Sequence, residues 1–178
     1  MTGSLTVRPA RRDDVPAVVA LVHELAAYER AADECRLTAA QLEAAVFAEH
    51  PAAFVHVAED GHAAQDGGGE LVGMALWFLN FSTWAGVHGV YLEDLYVRPQ
   101  ARGSGAGRAL LATLAQLCVE RRYQRLDWWV LHWNPAREFY HALGAQPMDE
   151  WIPYRLTGDP LRRLATQAPT GVPVARTS

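Results

Sequence analysis

The feature that most constrains this chain is a glycine-rich stretch between a predicted strand and a predicted helix. Gly103, Gly105 and Gly107 alternate with other residues, after the strand-like residues 92–97 and before the apolar residues 109–119. Glycine lets a backbone approach a ligand closely and adopt angles that other residues avoid. The free N–H groups and the dipole at the start of a helix favour an anion. The stretch therefore predicts a phosphate-binding loop.

Two common nucleotide motifs fit this loop poorly. A nucleoside-triphosphate P-loop needs Lys and then Ser or Thr after its last glycine, whereas Arg108 and Ala109 follow Gly107. A dinucleotide site has Gly-x-Gly-x-x-Gly spacing and an acid at the end of the next strand. Here the glycines are one residue closer together, and Asp127 opens the next predicted strand. A glycine-rich loop without a ligand is the alternative that the stretch alone leaves open.

Composition indicates one globular domain. The 178 residues are 50% hydrophobic and 20% charged, which is enough for a sizeable core. We expect the domain to span residues 1–166 and residues 167–178 to form a disordered tail. The net charge of −4 disfavours nucleic acid and anionic membranes as partners and is compatible with a cationic substrate. The sequence has neither a run long enough to span a bilayer nor the apolar core of a signal peptide, so we expect a cytoplasmic protein.

The pattern of apolar residues and caps predicts alternating strands and helices. Asp14 and Pro16 open a first helix that ends near Tyr28, and Thr38 with Gln41 forms a capping box for a second helix ending near residue 48. A third helix covers residues 105–122, and a fourth runs from Asn134 to Gly144. Strands are predicted at residues 5–9, 54–59, 70–78, 90–97, 125–132 and 148–157, with loops at 60–69 and 80–89. This order predicts an α/β domain whose mixed, mostly antiparallel sheet has helices on both faces.

Several segments resemble the GCN5-related N-acetyltransferases. Residues 100–106, Gln-Ala-Arg-Gly-Ser-Gly-Ala, are similar to the acetyl-CoA signature of that superfamily, and Val97 and Pro99 match its lead-in. Residues 24–29, 49–51, 91–97, 133–134 and 139–140 look like the spermidine/spermine, or diamine, N-acetyltransferase branch. The resemblance covers residues 5–158. It departs at Ser82–Trp84, where the acid before the tryptophan is missing, and at residues 148–151, which align only with a gap.

The resemblance implies acetyl transfer from acetyl-CoA to a primary amine of a small molecule. Both departures fall in segments that the resemblance assigns to the amine pocket. The amine is mostly protonated at pH 7, because lysine has a pKa of about 10.4, so its proton must be removed. The leaving thiolate needs an acid. The resemblance assigns the acid to Tyr140 and places Glu93 on the substrate side, as base or binding group. In a regular strand Asp94 points to the face opposite Glu93, unless a bulge changes the direction of one of the two acids. We therefore expect Asp94 to have a structural role, hydrogen-bonded under a loop.

The remaining site residues follow from the same resemblance. The pyrophosphate is expected on the loop residues Arg102, Gly103, Ser104, Gly105, Ala106, Gly107 and Arg108, and the pantetheine arm on Leu95, Tyr96 and Val97, with Asn134 as a further contact. The amine pocket is expected to contain Tyr28, Glu29, Trp84, Glu93 and Glu150, because acids neutralise an ammonium and aromatic rings attract one. The two cysteines and seven histidines show no ligand spacing, so we expect no metal.

Enzymes of this branch are usually homodimers, and we expect the same here. Three alternatives stay open: another acceptor, such as an antibiotic amine or a protein N-terminus; a non-catalytic acyl-CoA-binding module; and, more distantly, a nicotinamide-binding enzyme.

Overall fold

A five-stranded sheet organises the computed structural model, which describes residues 5–61 and 69–169. The strands are β1 (Leu5–Pro9), β2 (Phe54–Asp60), β3 (Glu70–Ser82), β4 (Val87–Val97) and β5 (Leu126–Trp128), and each lies beside its neighbours in the sequence. The first four strands are antiparallel, and β5 runs parallel to β4. The predicted mixed, mostly antiparallel sheet of an α/β fold is therefore confirmed.

The first four helices begin close to where the sequence predicts them, and the fifth was not predicted. They are α1 (Val15–Tyr28), α2 (Ala39–Val46), α3 (Ala106–Arg121), α4 (Ala136–Ala142) and α5 (Gly158–Ala165). Asp14 directly precedes α1 but does not cap it through its side chain, because its carboxylate instead accepts the backbone N–H of Arg11 at 2.6 Å. At the start of α2, the Thr38 hydroxyl accepts the N–H of Gln41 at 3.3 Å, which completes the predicted capping box.

The two faces of the sheet are covered by different helices. Helices α1 and α2 pack on one face, where Leu21 joins a buried cluster with Val57, Met74 and Tyr96. Met74 is paired with both Val57 and Tyr96 across the sheet, so these side chains share one face. Helix α3 contacts β1 to β4 and buries a separate set of side chains, which includes Leu110 and Leu114. Helices on both faces are thus confirmed.

Three predictions about loops and strands were wrong. Residues 80–89 form most of a hairpin, since β3 continues to Ser82 and β4 begins at Val87. The cross-strand pair of Phe81 and His88, whose rings lie 5.3 Å apart, extends the ladder into the region predicted as a loop. Strand β5 has three residues instead of eight, and residues 148–157 form no strand at all. Residues 62–68 of the predicted loop and residues 170–178 of the predicted tail lie outside the described part of the chain.

The chain divides into two compact units, Met1–Trp129 and Val130–Ser178. The first unit holds the sheet and α1 to α3. The second holds α4, which follows Asn134 and ends before Gly144 (φ +87°) as predicted, and α5, which was not predicted. In the second unit residues 146–169 are exposed throughout. Within residues 5–61 and 69–169, no helix combines the length and apolar character needed to cross a membrane.

Candidate active site

The glycine loop connects the end of β4 to the start of α3. Gly103 and Gly105 have φ angles of +82° and +93°, in the left-handed region that L side chains rarely adopt. A Cβ atom at either position would meet nothing within 4 Å, so the space beside the loop is open. Glycine is therefore required by the backbone angles, and the backbone remains accessible to a ligand.

Helix α3 directs its first N–H groups into the same loop. The N–H groups of Arg102 and Ser104 bond back to the carbonyls of Pro99 and Ala101, at 3.2 and 3.3 Å. Those of Gly107 and Arg108 belong to the first turn of a 16-residue helix, where no preceding helical carbonyl can accept them. These donors and the helix dipole suit an anion such as a pyrophosphate.

Next to the loop, the sheet opens between β4 and β5. The two strands pair only at Val90, Tyr91 and Leu92, which lie opposite Leu126, Asp127 and Trp128. Among the described residues, β4 pairs beyond Leu92 with β3 alone. The edge of β4 that contains Leu95, Tyr96 and Val97 can therefore accept an extended group as an additional strand.

A β-bulge interrupts β4 at Glu93. Asp94 pairs with Leu76 and Leu92 pairs with Trp77, so Glu93 is an extra residue without a partner on β3. Its side chain is exposed, whereas Asp94 is half-buried on the face that α1 covers. The two adjacent acids consequently do not follow the simple alternation of a regular strand.

The electrostatic environment of the bulge makes Asp94 unusual. Burial raises the pKa of Asp94 from 3.8 to about 6, with further contributions from the negative charges of Glu93 and Glu29. Burial also raises the pKa of Glu29, which follows the last residue of α1. Glu29 and Glu93 were predicted residues of the amine pocket, whereas Asp94 was predicted to be structural. The signal that could have found Asp94 was the possibility of a bulge in the Glu93–Asp94 pair.

Tyr28, predicted for the amine pocket, contacts the glycine loop. The guanidinium carbon of Arg102 lies 4.8 Å from the centroid of the Tyr28 ring. Arg102 also donates through Nε to the carbonyl of Val97 at 3.2 Å. The structure thus places Tyr28 against the glycine loop, and Glu29 and Glu93 close enough to Asp94 for their charges to act on it.

Trp84 lies apart from these residues. It is 92% exposed in the turn between β3 and β4, at the opposite end of β4 from the loop. At about 3.3 Å per residue, this turn is about 20 Å along the strand from the bulge. The structure therefore does not bring Trp84 beside the acids.

The other predicted site residues belong to the second unit. Tyr140 is half-buried on α4, with its ring centroid 5.4 Å from that of Phe139. Asn134 accepts the N–H of Ala136 through Oδ1 at 2.9 Å, so it acts at least as a helix cap. Glu150 is exposed in a turn closed by the N–H of Trp151 donating to the carbonyl of Met148, beside a depression of about 360 Å³.

No group of three or more His, Cys, Asp or Glu side chains within residues 5–61 and 69–169 is arranged to hold a metal ion.

The sheet that opens beside a glycine loop at a helix N-terminus defines the class of protein, which is an acetyltransferase. The chain belongs to the acetyltransferase (GNAT) family, whose sequence profile matches residues 19–145. Acetyltransferases with this fold use acetyl-CoA. The predicted N-acetyltransferase is thereby confirmed.

Known relatives match most of the chain. A thialysine N-epsilon-acetyltransferase from Bos taurus is 35% identical over 164 residues, which cover 89% of this chain and 96% of that protein. A spermidine/spermine N(1)-acetyltransferase-like protein from Homo sapiens is 30% identical over 163 residues, or 89% of this chain and 23% of that protein. The solved structure of an integron cassette protein from V.cholerae has a TM-score of 0.74 and 27% identity, covering 94% of this chain and 99% of that one. The predicted diamine acetyltransferase-like branch is confirmed by these similarities.

Proposed function

We propose that this chain transfers the acetyl group of acetyl-CoA to a primary amine of a small cationic molecule, of the polyamine, diamine or lysine-like kind. The observation that carries the proposal is the group of carboxylates Glu29, Glu93 and Asp94 at the β4 bulge, beside the glycine loop. Direct attack in a ternary complex needs the amine and the thioester side by side, and this arrangement offers adjoining sites for both.

The glycine loop and the edge of β4 are proposed to hold acetyl-CoA. The N–H groups at the start of α3, with the side chains of Arg102 and Arg108, would bind the pyrophosphate. The backbone of Leu95, Tyr96 and Val97 would pair with the pantetheine arm, and an N–H there would stabilise the oxyanion. Asn134 is a proposed further contact. Acetyl-CoA supplies an activated acyl thioester, so the protein itself needs to provide position, charge and proton transfer.

The carboxylates are proposed to bind the ammonium form of the acceptor and to receive its proton. Asp94 has a pKa of about 6 and is therefore mostly ionised at neutral pH, yet it is a stronger base than an ordinary aspartate. Glu93 is exposed and accessible to water, which fits it to relay the proton away. Tyr28 and Glu150 remain proposed pocket residues, whereas Trp84, at the far end of β4, is left out of the proposed pocket. Tyr140 is proposed to give the leaving thiolate its proton.

A covalent enzyme intermediate is not required. Burial raises the pKa of the Cys118 thiol, whose sulfur donates to the carbonyl of Arg125, so this cysteine is a poor nucleophile. Cys35 precedes α2 and belongs to none of the site motifs. Both observations support direct transfer between the two substrates.

The relatives guide the choice of acceptor. One is a thialysine acetyltransferase of nearly the same length, and another is named for spermidine and spermine. Lysine-like amines are therefore the first class to test and polyamines the second. A non-catalytic acyl-CoA-binding module, or an antibiotic amine or protein N-terminus as acceptor, are the alternatives that the same experiment separates.

A homodimer in the cytoplasm, without nucleic acid or membrane as a partner, completes the proposal. Within residues 146–169, seven large apolar side chains are 45% or more exposed, namely Met148, Trp151, Ile152, Tyr154, Leu156, Leu161 and Leu164. Together they offer on the order of 800 Å², which is about what one partner contributes to a standard interface. The net charge of −4 supports the absence of polyanionic partners.

The test is release of coenzyme A from acetyl-CoA with a panel of amines: lysine, thialysine, spermidine, putrescine, an aminoglycoside and a short peptide. The panel is run on the natural chain, on Tyr140→Phe, and on Tyr123→Phe as a matched control in the first unit. We expect turnover on one class of amine and a loss of at least about tenfold for Tyr140→Phe alone. Undiminished turnover in Tyr140→Phe would remove Tyr140 from the mechanism. Coenzyme binding without turnover on any amine would favour the non-catalytic module.

A further inference from the structure

Two arginines that flank the glycine loop are both held by the last turns of α1. Arg98 precedes the loop and Arg102 begins it, and a short 3-10 turn, Pro99–Ala101, separates them. Glu24 and Tyr28 are four residues apart on α1 and therefore share one side of the helix. Glu24 contacts Arg98, and Tyr28 contacts Arg102.

The Arg98–Glu24 contact is better organised than a typical surface ion pair. Arg98 donates through Nη2 to one carboxylate oxygen of Glu24 at 2.9 Å and through Nε to both oxygens at 3.2 Å. Its Nη1 donates to Glu70 at 2.7 Å and to the carbonyl of Leu71 at 3.3 Å. The Arg98 side chain is only 26% exposed. Multidentate geometry within a network is the circumstance in which such a pair acquires measurable strength.

The backbone of Arg98 is held as well. Its N–H donates to the carbonyl of Val72 at 2.9 Å, and its carbonyl accepts the N–H of Ala101 at 2.9 Å. Beneath it, the buried Tyr96 side chain interacts with Glu24. Glu24 thus fixes the segment from which the glycine loop departs.

The same part of α1 carries an acid of the proposed amine site. The N–H of Glu29 donates to the carbonyl of Leu25 at 2.9 Å, so the backbone of Glu29 is fixed to the end of the helix. Its charge acts on Asp94 at the bulge. The end of α1 therefore contacts Arg98 and Arg102, at the start of the glycine loop, through Glu24 and Tyr28, and it acts on Asp94 through the charge of Glu29.

We propose that Glu24, Arg98, Tyr28 and Arg102 are positioning residues that set the conformation of the coenzyme loop and couple its occupancy to acceptor binding through Glu29. The inference rests on the proposed function, because it takes the loop to bind acetyl-CoA and the carboxylates to bind the amine. Its consequence is that each substrate strengthens the binding of the other, by the same factor in both directions.

The test measures binding without turnover, by calorimetric titration of coenzyme A in the absence and presence of a saturating acceptor amine. Coenzyme A carries no acetyl group, so no reaction consumes the ligands. In the natural chain we expect the amine to tighten coenzyme binding at least fivefold. In Glu24→Gln we expect coenzyme A to bind about tenfold more weakly and the effect of the amine to fall to less than twofold. Glu43→Gln is the matched control, because Glu43 pairs with Arg12 on the exposed surface away from the loop.

Two further variants separate positioning from a general loss of structure. Tyr28→Leu removes the aromatic ring under Arg102 and should weaken coenzyme A binding more than amine binding, whereas a pure amine-pocket residue would do the reverse. The double variant Glu24→Gln, Arg98→Gln should bind coenzyme A more tightly than the product of the two single effects predicts, because each substitution breaks the same Arg98–Glu24 pair. Thermal unfolding of each variant checks that it is folded.

The outcomes distinguish this inference from the function on which it rests. If the natural chain does not bind coenzyme A, the proposed function fails. If it binds coenzyme A but Glu24→Gln binds as tightly as Glu43→Gln does, or keeps the full effect of the amine, the positioning role is overturned.

Discussion

Replacing Asp94 with asparagine should stabilise the protein at neutral pH. The pKa of Asp94 is raised from 3.8 to about 6, first by burial and then by the charges of Glu93 and Glu29. Between these two pH values the folded protein retains a proton that the unfolded chain has lost, so stability falls as the pH rises through this window. Each pKa unit corresponds to about 1.4 kcal/mol, so the charged carboxylate costs about 3 kcal/mol above pH 6. Asparagine has nearly the same shape and avoids this cost.

The prediction is measured by thermal unfolding between pH 4 and pH 8. For a domain of this size about 3 kcal/mol corresponds to an increase in Tm of about 6–12 °C at pH 8. The increase should shrink steadily as the pH falls and nearly vanish near pH 4, where Asp94 is mostly protonated. Asp33→Asn is the control, because Asp33 is exposed in the turn Ala32–Glu34 and its replacement should not reproduce this pH dependence.

The stabilised variant should also be a poorer enzyme. Asparagine cannot attract an ammonium group or accept its proton, so we expect the KM for the amine to rise at least about tenfold, while the affinity for coenzyme A changes little. A variant that is less stable than the natural chain at pH 8, or a gain in Tm that is the same at every pH, would refute the reasoning. The first result would mean that contacts of the ionised Asp94 outweigh its burial, and the second that the gain does not come from removing its charge.

Three other predictions concern the loop, the first strand and the proposed dimer. Gly105→Ala should weaken coenzyme A binding, measured by titration, and lower stability by about 1 kcal/mol, because alanine disfavours the φ of +93°; unchanged values for both would contradict the assigned backbone. Asp14→Asn should destabilise the protein at pH 7, because Arg8, whose Nη1 lies 2.6 Å from Oδ2 of Asp14, lowers the pKa of this carboxyl group. The ionised Asp14 contributes its full stability above the ordinary pKa of 3.8, and this contribution is lost as the pH falls through the lowered pKa. Unfolding curves of the natural chain and the variant should therefore converge in acid and diverge towards neutral pH. Ile152→Asp should convert the proposed dimer to a monomer in analytical ultracentrifugation, whereas Val119→Asp, at a residue that is 78% exposed on α3, should not; a monomeric natural chain would refute the dimer.

Local sequence signals predicted the parts of the fold that depend on a few neighbouring residues. The capping box of Thr38 and Gln41 and the left-handed glycine after α4 both lie where the sequence indicated. The glycine loop was predictable because positive φ angles strongly favour glycine, so the backbone angles of Gly103 and Gly105 are reflected in the residue types at these positions. Such features need no knowledge of what packs against them.

Features that depend on distant partners were less predictable. Strand β5 ends where its pairing with β4 ends, at Trp128. The alternation of apolar and polar residues in 125–132 does not indicate where that pairing ends. Residues 148–157 have the composition of a strand, but among the described residues no neighbouring strand pairs with them. Strand propensity describes fit to a half-buried sheet surface, so it cannot specify whether such a surface is available.

The bulge at Glu93 shows why the candidate site was only partly predictable. In a strand with one solvated face, a change of face would break the alternation of apolar and polar residues. Here helices cover both faces, so Leu92 is buried on one and Tyr96 on the other without any visible break in the pattern. The extra residue nevertheless moves Asp94 to the face of α1, opposite Leu76, where the charge of Glu29 reaches it. In a regular strand without the bulge, Asp94 would share the face of Leu92, and Glu93 and Asp94 would point to opposite faces of the sheet. The acidic character of the proposed amine site therefore depends on one register shift. That shift cannot be read from the sequence, because both faces of the sheet are covered and the apolar pattern does not change at the bulge.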